Sequence, residues 1–213
     1  MATRQSGRVR RRIQAVTFDI GGTLIEPWPS VGHVYADVAG RFGIRANPDQ
    51  LTLRFGAAWK AKRGFDYSRA AWFELVRSTF EPDAWRIAHD ALQAIDALAT
   101  QGIRLGAISN WDDRLLPLLE RLELRRHFET VAVSCEVGFA KPSPEIFHHA
   151  LRKLGLPPEA TLHVGDSMTE DVEGARSAGM SAALIRRRER EPASPPIIRD
   201  LRELTVIIGQ ARE

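Results

Sequence analysis

The loop after the first apolar run contains a carboxylate that could act as a nucleophile. In AVTFDIGGTLIE, Ala15 to Glu26, Asp19 stands directly after the apolar residues and shortly before two glycines. A carboxylate can form a covalent intermediate, and the backbone N–H groups of such a loop can form an anion-binding nest. The phosphate-binding loop of some ATPases has a similar pattern, in which the aspartate has another role. The loop alone leaves both interpretations open.

Two later segments offer groups that bind phosphate oxygens. Ser109 and Asn110 end the segment IRLGAISN, and Lys141 lies in AKPSPEIF. Phosphoryl transfer requires a nucleophile, a cation that neutralises the phosphate and donors directed at its oxygens. Lys141 can supply the charge, and the Ser109 hydroxyl with the backbone N–H of Asn110 can hold one oxygen. These residues favour phosphoryl transfer.

An acidic pair further along the chain could bind a metal ion. Asp166 and Asp171 lie in HVGDSMTEDVEGARSAGM. Mg²⁺ prefers hard oxygen ligands and retains several waters. Asp19 and Asp166 can provide such oxygens together with a backbone carbonyl, so magnesium is the expected cofactor.

Short apolar runs alternate with amphipathic segments from Arg12 onward. HDALQAIDALATQG and SPEIFHHALRKLG have helical spacing and end in glycine, and a last helix is expected around Asp200 to Gln210. Strand–helix repetition predicts an α/β fold with a parallel sheet covered on both sides, whose functional loops lie at the carboxyl ends of the strands. The predicted strands are Ile13 to Phe18, Ile103 to Ser109, Thr130 to Ser134, Thr161 to Gly165 and Ser181 to Ile185.

One region interrupts this alternation. Between Pro27 and about Ala88 no strand pattern is evident, whereas Asn47-Pro48 and Ser68 each have the position of a helix start. The sequence therefore predicts a helical insertion after the first strand. The expected divisions are a basic tail over 1–12, a core formed by 13–26 and 89–213, and a helical cap over 27–88.

Taken in order, these motifs resemble those of the haloacid dehalogenase superfamily. Its members carry a nucleophilic Asp, a Ser or Thr, a Lys and a terminal acidic pair, and the resemblance covers Ile13 to about Ile185. It implies the helical-capped (C1 cap) subclass, with a Rossmann-like three-layer core around a central parallel sheet. Asp19 and Ser109 are 90 positions apart, which leaves room for the cap. A sugar-kinase or actin-like ATPase would need a second phosphate loop and a far longer chain, so we reject that alternative.

The resemblance also implies roles for individual residues. Asp19 would form an aspartyl-phosphate, with Lys141 as the second catalytic residue. The backbone carbonyl of Gly21 would bind the metal, and Asp171 would do so directly or through water. Thr23 would brace the nucleophile loop at the phosphate site. The implied activity is Mg²⁺-dependent hydrolysis of a small phosphorylated metabolite.

Gly21 departs from the pattern of most phosphatases in this superfamily. They have an aspartate two residues after the nucleophile, and its carboxylate protonates the leaving oxygen and later activates water. A positioned acid or base contributes about 10²- to 10⁴-fold. Esters with poor leaving groups should therefore react slowly unless another residue supplies the proton, whereas anhydrides, acyl phosphates and activated esters need it least.

Two alternative functions stay open. A 2-haloacid dehalogenase would not need the missing acid, because halide leaves without a proton. Dehalogenases of this superfamily, however, work without metal and replace the position of Asp166 with a small polar residue, and their cap arginine is matched here by Lys60. A catalytically weak protein that binds a phosphorylated ligand is the second alternative.

Substrate choice in this architecture belongs to the cap and to the mouth of the pocket. Lys60, Arg63 and Tyr67 are the candidate specificity residues of the cap, and Trp28 and Trp111 are further candidates near the loops. A positive cap residue that closes over an anionic substrate would be physically sensible.

Composition limits the remaining possibilities. The chain has 213 residues, 44% hydrophobic and 27% charged, which suits one domain with a small cap. No apolar run is long enough for a bilayer and the N-terminus lacks a signal-peptide pattern, so a cytoplasmic location is expected. Cys135 is the single cysteine, which excludes an internal disulfide, and we expect it to be buried.

The basic character of the chain lies in its first residues. The net charge is +3, and the first twelve residues contain five arginines and no acid. We expect a disordered, solvated arm, with contact to RNA or anionic lipid as the alternative. The expected partner is a small phosphorylated substrate, with no nucleic acid and no membrane, and monomer and homodimer both remain open.

Overall fold

Within the part of the chain that the structure describes, the strands form two sheets. The computed structural model describes residues 12–41, 43–61, 85–187 and 196–210. The strands are β1 (Ala15–Phe18), β2 (Ile25–Pro27), β3 (Trp85–Ile87), β4 (Arg104–Ser109), β5 (Thr130–Val133), β6 (Thr161–Gly165), β7 (Ser181–Ile185) and β8 (Ile197–Ile198). Six of them form one parallel sheet in the order β5-β4-β1-β6-β7-β8, and β2 pairs with β3 in an antiparallel ribbon.

Helices connect these strands and cover the main sheet. They are α1 (Val31–Arg41), α2 (Pro48–Ala61), α3 (Ala91–Thr100), α4 (Leu115–Arg121), α5 (Ser134–Val137), α6 (Pro144–Leu154), α7 (Gly174–Ser177) and α8 (Leu204–Gln210). A π-helix, Met168–Glu173, leads into α7, and short 3-10 turns complete the connections.

The predicted α/β fold with a parallel sheet is confirmed. All five predicted strands are present, as β1, β4, β5, β6 and β7, and each pairs in parallel with its neighbours. The sequence did not reveal β2, β3 and β8, because runs of two or three residues are too short to show a strand pattern. The expectation of no strand between Pro27 and about Ala88 is therefore wrong at β3. The predicted end of β5 at Ser134 is one residue too late, since Ser134 begins α5.

Two helix ends confirm the reasoning from glycine. Gly102 follows α3 with φ 73°, and Gly155 follows α6 with φ 61°, the left-handed backbone that glycine adopts without steric cost. Pro144 is the first residue of α6, where its missing N–H costs nothing. The helix then buries Phe147, Ala150, Leu151 and Leu154 against the sheet, as their spacing predicts.

The main sheet is buried on both faces. Val16 and Phe18 of β1 lie in a core with Ile95 and Leu98 of α3. On the opposite face Ile108, Ala132, Ile146 and Phe147 form a second core with residues of α7 and β7. Cys135, expected to be buried, is exposed instead, because it lies in α5 after the chain has left the sheet.

The region after β2 is helical where it is described. Helices α1 and α2 pack against each other, and the N–H of Gly32 donates to Thr52 Oγ1 at 3.1 Å. The start of α2 is as predicted, and Asn47 Oδ1 accepts from the Gln50 N–H at 3.1 Å. The helix expected after Ser68 and most of the basic tail lie outside the described residues, so the division into tail, cap and core stays a prediction.

None of the described helices is long and apolar enough to cross a membrane.

A glycine in the second core provides a test of packing. A Cβ at Gly174 would lie 2.8 Å from Phe147 Cε2 and 2.9 Å from Pro142 Cα, so Gly174→Ala should lower the free energy of unfolding by about 1–3 kcal/mol. Gly209→Ala is the matched control: it meets nothing within 4 Å in α8 and should raise the free energy by about 0.5–1 kcal/mol. Urea denaturation measures both. Equal effects of the two substitutions would contradict the packing at Gly174.

Candidate active site

The candidate site lies at the carboxyl end of the main sheet. Asp19 follows β1, Ser109 ends β4, and Asp166 follows β6, so the order β4-β1-β6 places the three side by side. The N–H of Asp19 still donates to the carbonyl of Val164 at 2.8 Å, which extends the ladder between β1 and β6 by one residue. Lys141 comes from the loop between α5 and α6. The sheet thus brings together residues that are far apart in sequence.

Lys141 connects the nucleophile candidate with the second acid of the acidic pair. Its Nζ lies 2.7 Å from Asp19 Oδ1 and 2.6 Å from Asp171 Oδ1, and all three residues are buried. The Ser109 hydroxyl donates to Asp19 Oδ1 at a longer 3.4 Å. The ammonium group therefore fixes one oxygen of Asp19.

A buried histidine holds Asp171 from the other side. His163 Nε2 lies 3.1 Å from Asp171 Oδ1, and His163 Nδ1 lies 2.9 Å from Thr17 Oγ1. Burial lowers the pKa of His163 although Asp171 raises it, so the ring is neutral at pH 7. An ionised Asp171 only accepts hydrogen bonds, so Nε2 carries the proton and the Thr17 hydroxyl donates to Nδ1. With the Ser167 N–H donating to Asp171 Oδ2 at 2.9 Å, both oxygens of Asp171 are engaged.

Asn110 acts through the backbone of Lys141. Its Oδ1 accepts from the Lys141 N–H at 2.7 Å, and its Nδ2 donates to the Lys141 carbonyl at 2.9 Å and to Glu170 Oε2 at 3.2 Å. The side chain therefore joins the loop after β4 to the loop that carries Lys141. These contacts occupy the side-chain amide of Asn110. Its backbone N–H is the group that the sequence suggests for phosphate binding.

The nucleophile loop is also held from its outer side. Arg187 donates to the carbonyls of Gly22 at 3.1 Å and Thr23 at 2.8 Å, and to Asp90 Oδ1 at 2.7 Å. Asp90 is fully buried and accepts from the Leu201 N–H at 2.9 Å. The arginine thus ties this loop to the start of α3 and to the C-terminal segment.

Burial raises the pKa of two carboxyl groups in the site. Burial is the main cause that raises the pKa of Asp19 to about 8, against the opposing charge of Lys141 and with the like charges of Asp171 and Asp166. Burial and the charge of Asp171 raise the pKa of Asp166 to about 6.

The pKa of Lys141 is raised and that of Asp171 is lowered, so both groups stay charged and form an ion pair. Burial alone would lower the pKa of Lys141, but Asp171 and Asp19 raise it by more, so the ammonium stays charged. Burial alone would raise the pKa of Asp171, but Lys141 and His163 lower it well below its usual range. Asp171 is therefore the permanent counter-ion of Lys141.

The acidic residues fit a divalent cation. One carboxylate oxygen from each of Asp19, Asp166 and Asp171 lies within 4.8 Å of the others. A Cβ at Gly22 would lie only 2.5 Å from Asp166 Oδ2, and Gly22 has φ 85°, so both space and backbone require glycine beneath this carboxylate. Hard oxygens in this arrangement suit Mg²⁺. Because Asp171 is already engaged by three donors, Asp19 and Asp166 are the groups that can bind the cation directly.

Gly21 lies against an aromatic ring. A Cβ at this position would lie 3.1 Å from Trp111 Cζ3, with two more ring atoms at 3.8 and 3.9 Å. Trp111, one of the sequence candidates for specificity, is only 6% exposed, and its ring centroid is 5.0 Å from that of Trp85. Trp111, which directly follows Ser109 and Asn110, therefore fills the space beside Gly21 in the nucleophile loop.

The remaining predicted residues are Thr23, the three cap candidates and Trp28. Thr23 is fully buried, and its Oγ1 makes no hydrogen bond with any described atom, so its predicted bracing role would depend on packing. Lys60 belongs to α2, of which the last side chains are not described, and Arg63 and Tyr67 lie outside the described residues. Trp28 is 48% exposed and stacks on the Arg86 guanidinium at 3.3 Å.

Sequence reasoning assigned no function to His163, Asp90 or Arg187. His163 lies in a predicted strand, where a buried core role is the simplest interpretation; it is fully buried and is also hydrogen-bonded to Asp171. The available signal was a single titratable residue inside the otherwise apolar strand TLHVG. No local pattern identifies Asp90 or Arg187, which are 97 positions apart.

Comparisons with known proteins agree with this geometry. A family model described as haloacid dehalogenase-like hydrolase matches residues 13–179. The human haloacid dehalogenase-like hydrolase domain-containing protein 3 is 30% identical over 223 aligned positions, which cover 90% of this chain and 88% of the relative. Glyceraldehyde 3-phosphate phosphatase of Methanothermobacter thermautotrophicus is 39% identical over 124 positions, 54% of this chain and 53% of that protein.

A solved structure extends the similarity to the fold. The crystal structure of a HAD phosphatase from Thermococcus onnurineus superposes with a TM-score of 0.72 at 27% identity and covers 92% of this chain and 98% of that one. The chain therefore belongs to the haloacid dehalogenase-like hydrolases. The predicted superfamily is confirmed, and hydrolase is the class of enzyme that it defines.

Proton competition at the acidic residues gives a prediction for metal binding. Asp19 and Asp166 must lose their protons before they bind a cation, so the apparent affinity for Mg²⁺ should rise from pH 6 to pH 8 and level off above the higher pKa. The rise is expected to reach about tenfold per pH unit for each proton released. Isothermal titration calorimetry in buffers of different ionisation enthalpy measures both affinity and released protons.

Two variants serve as controls for this measurement. Asp166→Asn should weaken Mg²⁺ binding strongly and reduce the proton release. Asp96→Asn removes a carboxylate from the exposed face of α3 and should change neither quantity. An affinity that does not depend on pH in this range would contradict the protonated state of the free site.

Proposed function

We propose that this protein is a Mg²⁺-dependent phosphoryl hydrolase that forms an aspartyl-phosphate on Asp19. The observation that supports this most is the contact of Lys141 Nζ with both Asp19 and Asp171, beside an intact Asp166. A buried ammonium at the nucleophile suits a dianionic substrate, because it offsets charge where the phosphoryl group must approach. The cation, held by Asp19, Asp166 and the Gly21 carbonyl, would neutralise phosphate charge and orient the phosphoryl group.

The residues of this chain divide the work in the first step. Lys141 and Ser109 both contact Asp19 Oδ1, so Oδ2 is the oxygen left to attack phosphorus. Lys141 Nζ carries a third proton that can be donated to a phosphate oxygen, together with the Ser109 hydroxyl and the Asn110 backbone N–H. Because the attacking group is a carboxylate, the nucleophile must be ionised, which cation binding at Asp19 promotes.

His163 and Asp171 position rather than react. His163 contacts Asp171, and Asp171 contacts the Lys141 ammonium. These contacts keep the ammonium beside the nucleophile. Asn110 fixes the backbone of the same lysine through two hydrogen bonds. The electrostatic groups are thus in place before substrate binds, which is the condition under which they accelerate a reaction most.

The relatives suggest a small phosphorylated metabolite as the substrate class. One relative is named for hydrolysis of glyceraldehyde 3-phosphate, and its similarity extends over about half of this chain, 54%. The candidate cap residues Lys60, Arg63 and Tyr67 would then select the metabolite. Cytoplasmic location stays a prediction, and no partner beyond the small substrate is proposed.

A metal-independent haloacid dehalogenase is the second candidate. Gly21 is compatible with it, since halide needs no proton. Asp166 is not, because its half-buried carboxylate lies within 4.8 Å of a carboxylate oxygen of Asp19 and would repel the ionised nucleophile without a cation. A protein that only binds a phosphorylated ligand remains the third candidate, and the same experiment separates all three.

Removal of the nucleophile tests the proposal. Asp19→Asn should lower Mg²⁺-dependent phosphate release from acetyl phosphate and p-nitrophenyl phosphate by about 10³-fold or more. Asp96→Asn, on the exposed face of α3, should retain the parent rate. After an acid quench, intact-mass analysis should find one phosphoryl group on the parent protein and none on Asp19→Asn.

The alternatives have distinct results in the same assays. Chloride release from 2-chloropropionate without metal, in place of phosphate release, would indicate a dehalogenase. Equal rates for the parent and Asp19→Asn would show that Asp19 is not the nucleophile. Binding of phosphorylated compounds without any turnover would indicate the ligand-binding protein.

A further inference from the structure

Gly21 is not explained by its backbone conformation. Six glycines of the described residues have positive φ, and Gly21 is not among them, whereas its neighbour Gly22 has φ 85°. An L-amino acid could therefore adopt the backbone of residue 21. Space gives the explanation, because Trp111 Cζ3 lies 3.1 Å from the position of a Cβ there.

The Trp111 ring is held firmly in this position. Its backbone N–H donates to Ser134 Oγ at 3.0 Å, and its carbonyl accepts from the same hydroxyl at 3.0 Å. The ring packs against Trp85 of β3, the strand through which the chain returns from the helical insertion. A Cβ at residue 21 would require this ring to shift by a few tenths of an ångström, and a longer side chain would have to find space beside a ring that packs against Trp85.

We propose that Trp111 determines the leaving-group class of this enzyme: its ring occupies the side-chain space of residue 21 and places an apolar surface where a proton donor would stand. The inference rests on the proposed phosphoryl-transfer function. The substrates that it favours are phosphate anhydrides and acyl phosphates, whose leaving groups depart as stable anions. Alkyl phosphates are disfavoured because an alkoxide would leave beside an indole ring without a proton.

The balance of the first step shows why no proton is needed for an acyl phosphate. The Asp19 carboxylate forms a bond to phosphorus, the bond from phosphorus to the acyl oxygen breaks, and the electron pair leaves with a carboxylate anion. Water then hydrolyses the aspartyl-phosphate to inorganic phosphate, returns the Asp19 carboxylate and releases one proton to solvent. With an alkyl phosphate the same electron pair forms an alkoxide, which must take up a proton to become the alcohol.

A stability measurement tests the contact independently of activity. Gly21→Ala adds only the Cβ, which needs a shift of the ring by a few tenths of an ångström, whereas Gly21→Asp adds a carboxylate beyond it. In the parent background Gly21→Asp should therefore have a melting temperature several degrees below that of Gly21→Ala. Trp111→Phe removes the outer part of the ring system and retains an aromatic packed on Trp85. In the Trp111→Phe background the difference in melting temperature between Gly21→Asp and Gly21→Ala should become small.

A series of leaving groups tests the catalytic consequence. The value of kcat/KM reports the steps up to departure of the leaving group, so it isolates this step from the common hydrolysis of the aspartyl-phosphate. Between acetyl phosphate and glycerol phosphate it should fall steeply for the parent and for Trp111→Phe. In the Gly21→Asp/Trp111→Phe double variant, kcat/KM for glycerol phosphate should rise by about 10²-fold over Trp111→Phe, with less than about threefold change for acetyl phosphate.

The matched control is Gly21→Asn in the Trp111→Phe background, which has nearly the same shape and no proton to donate; it should leave kcat/KM for glycerol phosphate unchanged. Gly21→Asp alone with full stability and the full gain would overturn the inference, as would an equal gain for Asp and Asn. Failure of the proposed function has a different signature, since the parent would then release no phosphate from any member of the series, whatever the coupling in melting temperature.

Discussion

The ammonium of Lys141 lies in the protein interior between the carboxyl groups of Asp19 and Asp171, and the site is arranged around this pair of contacts. Desolvation of a charged group is costly, and only close partners compensate for it. Asp19 and Asp171 provide them at 2.7 and 2.6 Å. Removal of one partner from such a group typically costs about 3–5 kcal/mol, because the remaining charge stays buried. The nucleophile is therefore also part of the structure that keeps the lysine in place.

Further contacts serve this arrangement without touching the reacting atoms. His163 and the Ser167 N–H use the remaining positions on Asp171, and Asn110 fixes the lysine backbone. Asp171 can pack this closely against the end of β6 because residue 165 has no side chain. A Cβ at Gly165 would lie 2.1 Å from Asp171 Cγ. A parallel sheet is suited to this purpose, since its rigid strand ends deliver groups from distant parts of the chain to one edge.

The sequence was sufficient for five of the six strands of the main sheet, for the two helices that end in glycine and for the order of the site residues, because each leaves a local signal. Apolar runs define strands, Ser143-Pro144 and Gly155 delimit α6, and polar residues at strand ends indicate a common edge. Contacts across long separations leave no such signal. The hydrogen bond from Arg187 to Asp90 joins residues 97 positions apart, and the neutral state of His163 depends on complete burial. Trp111 could be nominated for specificity, but its position against Gly21 required coordinates.

The charge balance of the site explains why the carboxylate of Asp166 and the lack of a carboxylate at Gly21 have different consequences. Asp19, Asp166 and Asp171 lie together, and the ammonium that contacts two of them is that of Lys141. Burial, together with the like charges of Asp171 and Asp166, raises the pKa of Asp19 to about 8, and the clustered carboxyl groups would repel a phosphate dianion unless a divalent cation shared the site. Under the proposed function Asp166 would therefore require the metal, while a glycine at position 21 adds no further carboxylate to the site. The absence of a side chain at Gly21 also leaves space for the ring of Trp111, so under the proposed function charge and shape would act together on the choice of substrate.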